Sequence, residues 1–176
     1  MNKVFFDLEW NTGFLDGNSF DEIIEIGAVK TDEEYRQIDG FRRLIRPVIY
    51  RKMNPYIQKI LAITMKDLQG EEPLAAVAKV FFDWCGDCDT LIAWSGNDFG
   101  VLEKHLAHIG MKIPEQLGRY DVQMAYAYRT ENSIRNYALK TAVEAMELPE
   151  PEGQEYHDAY CDAQFTAAIG RALTER

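Results

Sequence analysis

The chain has little cysteine, no long apolar run and a deficit of positive charge. Three cysteines in 176 residues, an odd number, make no disulfide framework and fit a reducing compartment. No stretch free of Asp, Glu, Lys and Arg exceeds eight residues (Thr90 to Asn97, Ala163 to Gly170). A membrane span needs about 20 apolar residues, so no helix is expected to cross a bilayer. The opening MNKVFFDLEW interrupts its apolar part at Asp7 and Glu9, unlike a signal peptide, and a cytoplasmic protein is expected. Lys and Arg number 19 against 29 Asp and Glu, a net charge of −10, which argues against a protein that coats nucleic acid. What the chain does have is apolar material: 47% of residues are hydrophobic and 12% aromatic, too much for an acidic disordered tail. At this length one domain over residues 1–176, with a core that needs no disulfide or structural metal, is the expectation.

Periodicity and punctuation set the order of elements. Lys3 to Trp10 reads as a strand, residues 11–19 with two Gly and two Asn as a loop, and Ile23 to Thr31 and Phe41 to Arg46 as two more strands of an antiparallel meander. Pro73 opens an amphipathic helix carrying Leu74, Val77, Ala78, Phe81 and Cys85, and Thr90 to Ser95 is a short buried strand. Helices are expected over Asp98 to Ile109, Arg135 to Leu148 and Asp158 to Leu173, the first of these ending at Gly110. Strands followed by helix, strand and helix make an α/β domain with a mixed sheet covered by helices.

The first strand holds an anomaly. Side chains alternate along a strand, so Asp7 and Glu9 share a face with Phe5, while Phe6, Leu8 and Trp10 share the other. Aromatics on both faces mark a central strand, where two like charges cost several kcal/mol unless neutralised. Hard divalent cations bound through oxygen are one remedy; a strand end that emerges into solvent is the other reading. Asp98 follows a strand through Gly96 and Asn97 at a helix entry, a place that builds sites and equally suits a helix cap. His157 and Asp162 are five residues apart, about 140° around a helix, so they converge only if His157 lies in the loop before it, where Gly153 and an acidic, Pro-containing run favour a loop.

Taken in order, the three places resemble the three motifs of the DEDDh 3′→5′ exonucleases, the family of RNase T and the epsilon-type proofreading nucleases. FFDLEWN resembles the Asp-x-Glu motif, AWSGNDFGVLEKH the second motif with Asp98 in its acidic place, and EYHDAYCDA the His-x4-Asp motif with His157 and Asp162. Position 158 is Asp, so the tyrosine variant of the family, Tyr-x3-Asp, is not matched. Trp10 and Asn11 stand where the proofreading enzymes carry Thr, and Trp94-Ser95-Gly96-Asn97-Asp98 is similar to the exoribonuclease branch of KapD-like proteins and histone-mRNA 3′-end nucleases. The resemblance implies a ribonuclease H-like fold with a central mixed five-stranded sheet flanked by helices. It implies two Mg²⁺ or Mn²⁺ ions held by Asp7, Glu9, Asp98 and Asp162, with His157 as general base. Hydrolysis of single-stranded RNA, or less favoured DNA, from its 3′ end would release nucleoside 5′-monophosphates.

For substrate contacts the resemblance points to Leu8, Trp10 and Asn11 and to Ile63-Thr64-Met65. Trp10 either stacks on a base or packs in the core. Phe41 to Lys66 holds seven cations and no acid, so Arg51 and Lys52 belong either to a basic track for phosphates or to a scatter of solvated charges. Trp84-Cys85-Gly86-Asp87-Cys88 resembles a thioredoxin motif, but its thiols fall at a helix C-terminus, where a thiolate is disfavoured. A zinc site from Cys85, Cys88, His157 and Cys161 lacks the second half of a CxxC pair. His105 and His108 read as helix-face residues. The alternative to an enzyme is a module of the same fold that binds RNA or a protein without cleaving, although no acidic ligand is missing. Oligomeric state is not legible.

Overall fold

In the computed structural model, which describes residues 1–15, 17–149 and 156–175, the strand with the acidic pair runs through the centre of the sheet. This strand, β1 (Lys3–Leu15), pairs antiparallel with β2 (Asn18–Thr31), and β2 pairs antiparallel with β3 (Gln37–Leu44). On the other side β4 (Thr90–Ala93) lies parallel to β1 and β5 (Gly118–Asp121) parallel to β4, giving the order β3-β2-β1-β4-β5. Parallel pairing needs a crossover, and here the chain crosses through α1 (Pro55–Leu61), α2 (Met65–Leu68) and α3 (Leu74–Cys85). α4 (Gly96–His108), α5 (Val122–Glu131), α6 (Leu139–Ala145) and α7 (Ala159–Thr174) follow.

The alternation of β1 divides the core. Val4, Phe6 and Leu8 pack with Val77, Phe81, Leu102 and Leu106 of α3 and α4, whereas Phe5 packs with Tyr126, Val143, Phe165 and Ile169 of α5, α6 and α7. A sheet covered on both faces requires apolar residues on both sides of its central strand, as here. No described helix is long and apolar enough to cross a membrane.

Several boundaries differ from the sequence reading. β1 continues to Leu15 and β2 begins at Asn18, so most of the expected loop 11–19 is a hairpin arm that turns through Gly17 at φ 80. Gly13 sits there for contact, not for turning: a Cβ on it would lie 2.5 Å from the Tyr50 ring. The helix expected from Arg135 forms only over Leu139–Ala145, because Ser133 Oγ accepts the Arg135 N–H in a turn instead. α1, α2, β5 and α5 had no strong periodic signal; each is short or amphipathic only weakly. The loop expected at Gly153 lies outside the described residues.

Two glycines seat α7 on the sheet. Gly27 of β2 lies opposite Asp7 on one side and Arg42 on the other, so the three form one row on one face. A Cβ on Gly27 would fall 2.1 Å from the Tyr160 nitrogen and 2.2 Å from the Ala159 carbonyl carbon. The first turn of α7 therefore rests on bare backbone, with Asp7 to one side and Arg42 to the other. Two pairs along the strands, Gly40 receives the Tyr160 ring, whose hydroxyl accepts from Gln37 Nε2 at 2.8 Å.

Candidate active site

Asp7 and Glu9 project from the α7 face of β1 and are half-buried; Asp98 and Asp162 are buried at the starts of α4 and α7. Ser95 caps α4, its Oγ accepting the Asn97 N–H and lying 3.3 Å from Asp98 Oδ2, so Asp98 sits inside the first turn and is not the cap. Asp158 caps α7. His157 precedes the cap in a left-handed conformation (φ 69), and its N–H donates back to Asp162 Oδ2 at 3.2 Å. That kink carries the exposed His157 ring to the acids: one atom each of Glu9, His157 and Asp162 lies within 4.8 Å of the others.

Burial raises all four acids, and for Asp7, Glu9 and Asp162 the neighbouring carboxylates add to it. Asp7 is pushed well above the carboxylate range by burial and then by the charges of Asp98, Asp162, Glu9 and Glu25. Burial first, then Asp162, Glu25 and Asp98, pushes Glu9 up to about 8. Asp162 rises to about 7, again through burial, against the His157 N–H that pulls it down. Burial raises Asp98 to about 6, opposed by hydrogen bonds from Ser95 and the Leu8 backbone. Asp162 Oδ1 is buried with no hydrogen-bond partner among the described residues, an orphaned acceptor on one of the clustered acids. An all-oxygen donor set around an unneutralised core fits a hard divalent cation.

This electrostatic debt predicts an unusual pH profile. Folded Asp98, Asp162 and Glu9 keep their protons until about 6, 7 and 8, whereas the unfolded chain loses them near 4. Between those limits the folded state binds more protons, so stability is full below about pH 4 for these groups and falls as pH rises through each raised value. His105, pushed down to about 4 by burial, acts in the opposite sense below pH 6.5. Without divalent ions, the urea midpoint should therefore drop from pH 6.5 to pH 8.5, and Mg²⁺ should restore more at the higher pH.

The expected substrate residues separate. Leu8 is in the core, leaving only its backbone at the site. Trp10 packs against the core on one side and lines a hollow of about 360 Å³ with Asp21, Gly96, Asn97, Gly100, Val101 and Lys104 on the other. Asn11 must be corrected: it is 1% exposed, donates to Lys52 O at 3.1 Å and accepts from Asn54 N at 2.8 Å. It ties down the segment after β3, aided by buried Glu22, whose carboxylate accepts the N–H groups of Val48, Ile49 and Tyr50. Ile63 lines a groove of about 360 Å³ beside His157, together with Glu25, Arg42, Tyr156 and Asp158. Thr64 donates through N–H and Oγ1 to Asp67, starting α2, and Met65 packs beside Ile24, Met53 and Leu68. Arg51 and Lys52 are exposed, but the proposed track is shorter than the sequence suggested. Arg42 pairs with acids, Arg43 folds over Phe41 and donates to Arg42 O, and Arg46 donates to Glu71 O.

Neither cysteine alternative converges. Cys85 and Cys88 are buried on the α3 face of the sheet and Cys161 on the α7 face, so no zinc set assembles from them and His157. Burial pushes the Cys85 thiol up to about 12 and raises Cys88 as well. His105 serves the fold, its Nδ1 accepting the Ile23 N–H beside the bulge at Glu9 and Trp10.

The family model described as Exonuclease matches residues 4–169. The chain belongs to the exonuclease family. Its ribonuclease H-like fold is similar to the nuclease domain of 3′hExo, a DEDDh family member bound to rAMP, at TM-score 0.84 and 17% identity over 99% of this chain and 92% of that one. Cell-death related nuclease 4 (CRN-4) matches at TM-score 0.81 and 15% identity, over 99% of this chain and 64% of that chain. The zinc-bound E. coli ExoI–ssDNA complex matches at TM-score 0.75 and 19% identity, over 99% and 40%. At these identities the likeness establishes the fold. Among curated proteins there is no match. In this exonuclease the sequence reading missed Glu25, Arg42 and Asp158 around the site; the visible signal was Glu25, an acid inside the apolar run IIEIGAV, directly across from Glu9.

Proposed function

We propose that the chain is a metal-dependent 3′→5′ exonuclease of single-stranded nucleic acid, RNA in preference to DNA, releasing nucleoside 5′-monophosphates. The observation that carries this reading is the cluster of Asp7, Glu9, Asp98 and Asp162, each raised above the ordinary carboxylate range by burial, with His157 beside Glu9 and Asp162 at its exposed edge. Asp7, Glu9, Asp98 and Asp162 would hold two Mg²⁺ or Mn²⁺ ions. When bound, such ions supply the charge that stabilises an in-line displacement at phosphorus. Asp7, raised first by burial and then by the charges of the three other acids, would be the central ligand of the set, and Asp98 is oriented by Ser95 and Leu8. His157, exposed beside Glu9 and Asp162, accepts the proton of the attacking water on an imidazole nitrogen. Trp10, with Ile63 and Tyr156 in the otherwise largely polar His157 groove, offers apolar and aromatic surface for the last bases, and Arg51 and Lys52 offer charge for the phosphates. RNA is favoured by the Trp-Ser-Gly-Asn-Asp form of the second motif and by likeness to an exonuclease bound to rAMP and to one that recognises a histone mRNA stem-loop.

Incubation of 5′-labelled single-stranded RNA and DNA with Mg²⁺, Mn²⁺ or EDTA tests the reading. A descending ladder that EDTA abolishes is expected; intact substrate under every condition would leave a silent binding module. His157→Gln should lower turnover by about 10²-fold or more while divalent-ion affinity stays unchanged by calorimetry. A loss of affinity instead would make His157 a ligand, as its distance to Glu9 and Asp162 permits.

A further inference from the structure

We infer that Arg42 is a positioning residue for His157, acting through the cap of α7; the inference rests on His157 being the proton acceptor. His157 is exposed and precedes its helix, so its place depends on what holds Asp158 next to it. Asp158 is held from two sides. Its Oδ1 accepts the N–H groups of Tyr160 and Cys161, both at 3.1 Å, and its Oδ2 lies 2.7 Å from Arg42 Nη2. The same guanidinium places Nε 2.7 Å from Oε1 of Glu25, which is 1% exposed.

Glu25 is fixed in the sheet opposite Glu9, and Arg42 rises from β3 opposite Gly27, where the first turn of α7 rests. Arg42 therefore links a rigid strand to the residue that follows His157, across the point where helix and sheet touch. A planar guanidinium spans two carboxylates at fixed angles, which a lysine ammonium does not reproduce. With two of its nitrogens facing acids, Arg42 serves the loop, not the phosphate track that its place in a basic segment suggested.

The test combines Arg42→Met, Arg42→Lys, Asp158→Asn and the Arg42→Met/Asp158→Asn double variant. The side-chain amide in Asp158→Asn retains a capping oxygen, so that variant removes the ion pair and leaves both the cap and the Glu25–Arg42 pair. Single-turnover and steady-state hydrolysis of labelled RNA with saturating Mg²⁺ should show kcat down about ten- to a hundredfold in each single variant, with KM within about twofold. Lysine should rescue little, and the double variant should be no slower than Arg42→Met, because both changes break one link. Amide exchange should quicken at His157, Tyr160 and Cys161 and stay unchanged at Leu91 and Ile92 of β4. A rise in KM with kcat preserved would make Arg42 a phosphate contact, and multiplicative losses or unchanged exchange would equally overturn the link. An inactive wild-type chain would overturn the nuclease reading and this inference together; an active one with unaffected variants overturns the inference alone.

Discussion

Asp7→Asn should abolish hydrolysis and make the metal-free protein more stable. Asp7 is the one acid of the four whose value is raised by the other three and Glu25 together, so removing its carboxylate would remove the centre of the proposed cation site. Losing several kcal/mol of transition-state charge stabilisation corresponds to about 10³-fold or more in rate. The stability gain has the same origin. An amide of equal size needs no proton to be neutral and relieves the repulsion within the acidic cluster around Asp7. Each kcal/mol recovered is worth about 2–4 °C in a chain of this size. Thermal unfolding at pH 8 in EDTA, run beside the ladder assay, measures both. A variant that lost activity and stability together would instead make Asp7 a structural residue. Stability exchanged for a strained site is a general feature of enzymes.

Gly27→Val should do comparable harm from a residue with no side chain. Its Cβ would overlap the Ala159–Tyr160 backbone, which cannot rotate away as a side-chain tip can. α7 must lift, carrying Asp162 away from Asp7 and Glu9 and dragging His157 with it. Overpacking costs about 1–3 kcal/mol, occasionally more, and a shift of about 1 Å at the chemistry costs about 10²-fold in rate. The expected result is a lower urea midpoint with hydrolysis nearly lost even where the protein remains folded. Gly70→Ala is the control, since no described atom lies within 4 Å of its Cβ and no change is expected. Normal activity in Gly27→Val would mean that α7 is not seated through this contact.

Much of the site was legible because its logic is local. Period-two alternation puts Asp7 and Glu9 on one face whatever the rest of the chain does. The five-residue gap from His157 to Asp162 demands a break before the helix, and the chain supplies one with a left-handed residue and an Asp cap. The misreadings arose where one residue type serves two purposes. Glycine and asparagine in 11–19 suggested a loop, yet Gly13 makes room for Tyr50 and Asn11 bonds to Lys52 and Asn54, more than forty residues away. Arg42 looked like one cation in a basic run until Glu25 and Asp158 were found on either side of it.

The sequence by itself determined which acids exist, which share a strand face, and that they belong to a family of exonucleases. It determined this because alternation, helical period and motif order are properties of neighbours along the chain. Only the tertiary structure decided that Gly27 is the seat of α7, that Glu25 faces Glu9, and that Arg42 joins Glu25 to the cap beside His157. Those facts depend on strand register and on a helix returning to the sheet more than a hundred residues later, and a pairing across such a distance leaves no periodic trace in either segment.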